Sequence, residues 1–268
     1  MYHINLHTHT VRCHHARGTE REMIEAAIRA GIDVLGFSDH SPQFSDDRTL
    51  QSVRMSVEEA PGYVSVIRDL AEEYRDDVKI YVGFEAEYLP QIFQPLRELC
   101  GTLDADYLIM GQHCLAYADG LSYEGVGARI VGGRLCSPIH TLKSYVDTLI
   151  AGMETGCFTY VCHPDMYYAA DISDAEYRRE YSRLCIRARE LDVPLEVNNL
   201  GFTEKRNYPS DRFFSLVREF GNRLIVGVDA HTPEQIDVAH IEATLEYAEK
   251  TGLEIVEMPE LRAPWKHD

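Results

Sequence analysis

The chain of 268 residues carries 26 basic against 44 acidic side chains, a formal charge of −18, with 45% hydrophobic and 26% charged residues. These are values of a globular protein able to bury a large core, and the negative charge, with no basic stripe to interrupt it, argues against nucleic acid as a partner. The same charge favours a small substrate, and no apolar run approaches the roughly 20 residues that a membrane-spanning helix needs, which predicts a soluble chain.

Short runs rich in Val, Ile, Tyr and Phe alternate along the chain with longer amphipathic stretches. In order, the predicted units are strand 2–7 with helix 19–30, strand 34–38 with helix 57–74, strand 79–85 with helix 92–103, and strand 107–113 with helix 139–155. Strand 159–163 with helix 175–191, strand 194–198 with helix 210–220, and strand 223–228 with helix 233–250 complete the series. Seven strand–helix units predict an α/β protein with a parallel sheet. Gly31 and Gly252 read as helix stops, Ser210 and Thr232 before Pro233 as helix starts. No repeat, low-complexity tract or linker divides the chain, so 1–268 reads as a single domain. Two stretches, 42–55 and 116–136, are irregular; the second, rich in glycine with Tyr117 and Tyr123, suits either a flap over a site or a plain surface excursion. The N-terminus lacks the basic and apolar segments of a signal peptide, and seven cysteines without paired short spacing make no disulfide framework, which predicts a reduced, cytoplasmic setting.

The histidines are not scattered. His7 and His9, His40, His113, His163 and His231 fall at or just beyond the C-terminal ends of predicted strands, accompanied by Asp39, Glu85, Gln112, Asp165 and Asp229. Parallel barrels build their sites at that mouth. On a strand, His7-Thr8-His9 sends both imidazoles to one face, where they can chelate one ion. For a single histidine a hydrogen-bonded structural role is the commoner reading, and a lone strand-end carboxylate often caps the next helix. Repetition over six strand ends argues for a shared site. Imidazoles mixed with carboxylates suit zinc, manganese or iron better than magnesium or calcium. More ligands than one ion can hold imply two or three divalent ions, able to clamp a phosphate between them.

These motifs, His-Thr-His near the start, a further histidine before Ala16, Asp39-His40, Glu85, Gly111-Gln112-His113, His163-Pro164-Asp165, Glu196-Val197-Asn198 and Asp229-Ala230-His231, resemble in order the polymerase and histidinol phosphatase (PHP) superfamily. Overall length, with Leu195-Glu196-Val197-Asn198 and Asn207-Tyr208-Pro209-Ser210, is most similar to its histidinol-phosphatase branch. The resemblance implies a distorted seven-stranded (β/α) barrel of the TIM type with a trinuclear metal site. By that resemblance His7, His9, Glu85 and Asp229 hold one ion, His15, His40 and His231 a second, and Glu85, His113 and His163 a third, Glu85 bridging two. Local chemistry does not choose between His14 and His15; family spacing favours His15. The same resemblance gives Glu85, Asp229 and His231 the catalytic work, a hydroxide bridging the metals attacking phosphorus in line. The expected reaction is hydrolysis of a small phosphate ester, L-histidinol phosphate first, with a nucleotide or sugar phosphate as the alternative. Two departures from the family stand out. Asn5 replaces the aspartate commonly found two residues before the first ligand, and Met166-Tyr167-Tyr168 and Gly201-Phe202-Thr203 occupy regions where basic residues commonly grip phosphate. Arg17, Lys205, Arg206, Arg129 and Arg134 are the substitutes on offer, Arg17 and Arg206 the best placed, against a reading of each as a solvated surface charge.

Asn198 is expected either to contact substrate or to close a turn, and Asp165 to orient a ligand or cap a helix. Strand alternation turns Cys114 and Cys162 away from the faces of their histidine neighbours, so both are expected as small packed residues, with Cys13 left open. His3, His140, His240 and His267 are assigned no function. Rival classes are an amidohydrolase-type barrel cleaving C–N bonds, which the Asp39-His40 pair and the Asp-Ala-His ending fit less well, and a metal-retaining barrel without turnover.

Overall fold

A computed structural model describes residues 3–45, 47, 52–116, 123–126, 129–131, 134–136, 141–167 and 172–266. Strands β1 (Ile4–Asn5), β2 (Val34–Phe37), β3 (Lys79–Ala86) and β4 (Tyr107–Met110) lie side by side in that order. All are parallel, with Ile4 opposite Val34, Val34 opposite Lys79 and Gly83 opposite Tyr107. Parallel neighbours need crossover connections, supplied here by α1 (Glu20–Arg29), α2 (Ala60–Glu73) and α3 (Phe93–Thr102). Each buries one apolar stripe, such as Met23, Ile24, Ala26 and Ala27 of α1, against the sheet. The 114–136 region supplies two short antiparallel pairs, β5 (Cys114–Ala116) with β6 (Tyr123–Gly125) and β7 (Arg129–Val131) with β8 (Arg134–Cys136). The rest of the expected flap, and the side chains of Arg129 and Arg134, lie outside the described residues, as do His140 and His267.

Beyond α4 (Leu142–Glu154) and α5 (Asp174–Glu190), β9 (Leu195–Asn198) and β10 (Leu224–Gly227) pair in parallel. The strand expected at 159–163 is reduced to one bridging residue: Val161 pairs with Met110 on one side and Leu195 on the other. Backbone bonds still run to both neighbours, from Thr159 N to Leu108 O at 2.8 Å and from Glu196 N to Val161 O at 2.9 Å. Extension stops there because His163 turns to φ 28 and Pro164 offers no donor. The first and last strands also touch past their ends, where Thr8 bridges Ala230.

The remaining helices are α6 (Asn199–Thr203), α7 (Asp211–Phe220) and α8 (Val238–Glu249). Boundary signals mostly behave as read. Ser210 caps α7, and Gly31 and Gly252 take φ 75 and 72 after their helices; α1 adds a capping box of Thr19 and Glu22 that is not among those signals, and a cap of this kind contributes ~1 kcal/mol. The last helix is the exception. Pro233 opens only a 3₁₀ turn, Pro233–Gln235, Ile236 leaves helical geometry at ψ 70, and the helix proper begins after a new cap at Asp237. Inside the sheet Tyr107 donates from its hydroxyl to the carbonyls of Leu6 and Phe37 at 2.9 and 3.2 Å, tying β4 to the segments that carry His7 and Asp39. Among the described residues no helix is long and apolar enough to cross a membrane.

Candidate metal centre

The expected ligands converge. His7 and His9 follow β1, Asp39 and His40 follow β2, Glu85 lies on β3, His113 follows β4, His163 follows Val161, and Asp229 and His231 follow β10. Ring centroids of His7 and His9 are 5.3 Å apart, of His9 and His231 4.1 Å, of His40 and His113 4.9 Å, and of His113 and His163 5.0 Å. Two members reach their places through left-handed backbone, His163 at φ 28 and Asp229 at φ 58; strain of this kind is retained where the surroundings over-determine it.

Glu85 is the hub, 1% exposed, with His7 Nε2, His9 Nε2, His40 Nδ1, His113 Nε2 and His163 Nε2 at 3.5, 3.5, 3.0, 3.3 and 2.9 Å from its carboxylate oxygens. Asp229 Oδ1 lies 3.5 Å from His7 Nε2 and 3.2 Å from His9 Nε2. Few of these approaches are hydrogen bonds. The His7 Nε2, His9 Nε2, His40 Nδ1 and Glu85 Oε2 atoms are buried and bond to nothing, and a buried polar atom left unpaired costs about 1–3 kcal/mol. Ligand atoms at ~2.0–2.1 Å from a tetrahedral zinc stand about 3.4 Å apart, close to the 3.5 Å from His9 Nε2 to Glu85 Oε2 and from His7 Nε2 to Glu85 Oε1. The donor set therefore fits divalent transition-metal ions. His163 differs, since its Nε2 bonds to Glu85 and its Nδ1 is the unpartnered atom.

Behind the cage stand carboxylates that fix three of the rings. His7 Nδ1 is 2.8 Å from Glu196 Oε1, His113 Nδ1 3.1 Å from Glu87 Oε1, and His9 Nδ1 3.4 Å from Asp39 Oδ1. Such partners set the tautomer and leave the opposite nitrogen free for metal. Glu196 also accepts from the His163 amide and the Asn198 side chain, both at 2.9 Å, while Glu87 is paired with buried Arg54. Neither glutamate was assigned a role from sequence. Glu87 shares strand parity with Glu85, a usable signal; Glu196 lay within a recognised motif.

Room for both large carboxylates comes from glycines on adjacent strands. A Cβ on Gly111 would lie 1.9 Å from Glu85 Oε1, and one on Gly227 would lie 1.9 Å from Glu196 Oε1. Gly111→Ala is expected to expel Glu85, costing about 1–3 kcal/mol of stability by overpacking and lowering bound metal well beyond that loss, as metal analysis beside thermal melts will read. Glu196→Gln keeps shape and loses charge; chelator competition is expected to show metal binding weakened about 10–100-fold.

Electrostatics divide the histidines. Burial lowers His7 and His9, yet Asp229 with Glu196 for the first, and Asp229 with Asp39 for the second, leave both well above the ordinary imidazole value. Burial dominates for His40, held well below it, and for His231, pushed down to about 3 with the help of neighbouring His9. Burial opposes ionisation of Glu85 and Asp229, but the surrounding imidazoles hold both carboxyls well below their usual range.

The expected substrate contacts fare differently. The Arg17 side chain is exposed, its backbone N–H donating to the His231 carbonyl at 2.7 Å. Arg206 donates to Glu204 at 2.7 Å and to the Tyr208 hydroxyl at 2.9 Å, and the Tyr208 ring lies 5.5 Å from that of His163. Tyr208 belongs to the Asn207-Tyr208-Pro209-Ser210 motif, which by itself gives it no role. Asn198 is 1% exposed and its amide is spent on Glu196, Asp229 and the Gly201 amide, so it caps α6 and steadies Asp229. Asp165 accepts from the Ser210 amide at 2.7 Å, and burial raises its carboxyl to about 7. Asn5 occupies the place of the family aspartate, accepting from the His7 and Val228 amides and donating to Thr8. Cys114 is buried as expected; Cys162 is buried too, but with its thiol beside His7 and Glu196.

A parallel α/β sheet whose strand ends gather unpartnered imidazole and carboxylate atoms defines a protein built to hold metal. The chain belongs to the PHP domain family, whose pattern it matches over residues 5–200. Relatives include a protein from Deinococcus radiodurans named "Probable histidinol-phosphatase", 26% identical over 92% of this chain and 93% of its own length. Another of that name, from Schizosaccharomyces pombe, is 23% identical over 93% of this chain and 87% of its own length. Among solved structures, histidinol phosphate phosphatase from Lactococcus lactis, determined with zinc, L-histidinol and phosphate, superposes with a TM-score of 0.70 at 16% identity, covering 97% of this chain and 99% of that one. The family expected from the motifs is the family found.

Proposed function

We propose that the chain is a metal-dependent phosphomonoesterase that hydrolyses a small phosphate ester, with L-histidinol phosphate as its first substrate. The observation that carries the reading is the set of buried, unpartnered ligand atoms grouped around Glu85 and Asp229. His7, His9, Glu85 and Asp229 would hold one ion, His15, His40 and His231 a second, and Glu85, His113 and His163 a third; zinc, manganese and iron fit these donors. Bound there, divalent ions supply Lewis acidity toward phosphoryl oxygens and acidify an attacking water.

The chain's own groups do the remaining work. Glu196, Glu87 and Asp39 hold the imidazoles in the tautomer that faces the ions, and Asn198 steadies Asp229. Arg17, whose backbone N–H bonds to the His231 carbonyl, and Arg206, paired with the hydroxyl of Tyr208 whose ring lies beside His163, are the candidate phosphate anchors. The names of the relatives favour histidinol phosphate, whereas the neutral Tyr167 and Phe202 in regions of expected cations favour comparison with nucleotide and sugar phosphates. The proposed architecture is one domain over 1–268 and a closed seven-stranded barrel, supported by the Val161 and Thr8–Ala230 bridges. A cytoplasmic setting accords with the free thiols of Cys13, Cys100, Cys114, Cys157, Cys162 and Cys185.

A phosphoester panel assayed with added zinc, manganese or iron tests the reading. Phosphate release is expected to require metal, to be fastest in kcat/KM with histidinol phosphate, and to vanish in His9→Ala. A different compound far ahead replaces the substrate; no turnover of any phosphoester by loaded protein overturns the enzyme.

A further inference from the structure

Cys13 ends a 3₁₀ turn, Val11–Cys13, and is fully buried, while the next residue, His14, adopts φ 65. That left-handed residue turns the chain so that Cys13 and His15 serve one space. The Cys13 sulfur and one nitrogen each of His15 and His231 lie within 4.8 Å of one another. His15 is oriented by its own loop, its Nδ1 lying 2.7 Å from the Cys13 carbonyl, which leaves Nε2 facing His231 Nε2 at 3.0 Å. Two imidazole nitrogens that close need a proton on one of them, or a cation that both can bind. His9 adds a second observation: it contacts the Cys13 thiol, stacks on His231 at 4.1 Å, and its Nε2 is buried without a partner.

The ligand set argued above leaves the second ion with three imidazoles, His15, His40 and His231. Resting on that reading, we propose that the Cys13 thiolate is a further donor to this ion, which makes it the soft, zinc-preferring position of the centre. On binding, the S–H bond breaks, its proton leaves to solvent, and the sulfur lone pair forms the bond to the metal; no oxidant or reductant takes part. A thiolate among imidazoles selects zinc over manganese. Cys162 is the natural control, because the His7 nitrogen and Glu196 oxygen on its side already bond to each other at 2.8 Å.

Cobalt(II), added to the metal-free full chain, is the probe. The unaltered chain is expected to develop thiolate-to-cobalt charge-transfer absorption, lost in Cys13→Ser and kept in Cys162→Ser, at equal cobalt content. Cobalt bound with ligand-field bands but no charge-transfer band overturns the proposal and leaves the metal centre standing. A band lost only in Cys162→Ser overturns it as well, and failure to bind cobalt at all overturns both readings. Should Cys13→Ser not fold, X-ray absorption of the zinc-loaded unaltered chain decides. A sulfur scatterer at ~2.3 Å that Cys162→Ser retains supports Cys13, and a shell of nitrogen and oxygen alone refutes it.

Discussion

Glu85→Gln is expected to remove at least one ion from the centre and to lower metal-dependent phosphate release by about 10³-fold or more, equivalent to about 4 kcal/mol in the barrier. Five imidazoles surround this carboxylate, and it is the proposed bridge between two ions. An amide keeps the volume and one acceptor oxygen but loses the charge that balances two cations, and it turns a donor toward them. Folding should survive, because the substitution is isosteric and the hydrophobic core lies elsewhere on the strands. Metal content by elemental analysis, a thermal melt and a kinetic assay on the same preparation separate the cases. A variant with unaltered metal and near-normal turnover contradicts the bridging role.

Metal affinity is expected to rise steeply with pH, about tenfold per unit for each proton displaced. In the metal-free chain the carboxylates around His7 and His9 outweigh burial and hold both imidazoles well above their ordinary value, toward the protonated form. An ion must remove those protons, so raising the pH helps the metal and lowering it favours the proton. His40 and His231, kept neutral by burial, bind without releasing one. The linkage to stability has the same direction. The contribution of His7 and His9 to metal-free folding is complete below the unfolded value of ~6.5 and fades as pH rises through their higher folded values. Metal, which stabilises by about 4 kcal/mol at a thousandfold excess over its Kd, takes over as that contribution fades. The gap in Tm between loaded and metal-free protein should therefore widen from pH 6 to pH 8. Titration calorimetry in buffers of different ionisation enthalpy counts the protons; no proton release and a flat Kd across that range contradict the electrostatic description.

Much of this site is readable in one dimension because its residues sit at a repeated position, the C-terminal end of a parallel strand. Period-two spacing places His7 with His9 and Asp229 with His231 on the same side of the chain, and six such ends make a pattern that no single histidine carries. What sequence periodicity does not reveal is the layer behind. Glu196 matters because His7, 189 residues away, ends 2.8 Å from it, and no local pattern encodes that meeting. Asn198 shows the converse: its placement at a strand end leaves substrate contact and turn closure both open, and only the folded chain shows that Glu196, Asp229 and Gly201 take its donors and acceptor. Fold boundaries fail for similar reasons. The fifth strand narrows to Val161 because His163 and Pro164 leave the extended conformation, and the last helix starts late because the Asp237 cap competes with Thr232.

Anomalous diffraction from crystals loaded with zinc or manganese and phosphate tests the central claim most directly. Two or three anomalous peaks are expected inside the cage of His7, His9, His15, His40, Glu85, His113, His163, Asp229 and His231, with phosphate bridging them and Arg17 or Arg206 on its oxygens. Peaks elsewhere, or a cage empty of metal in crystals that take it up, would contradict that claim.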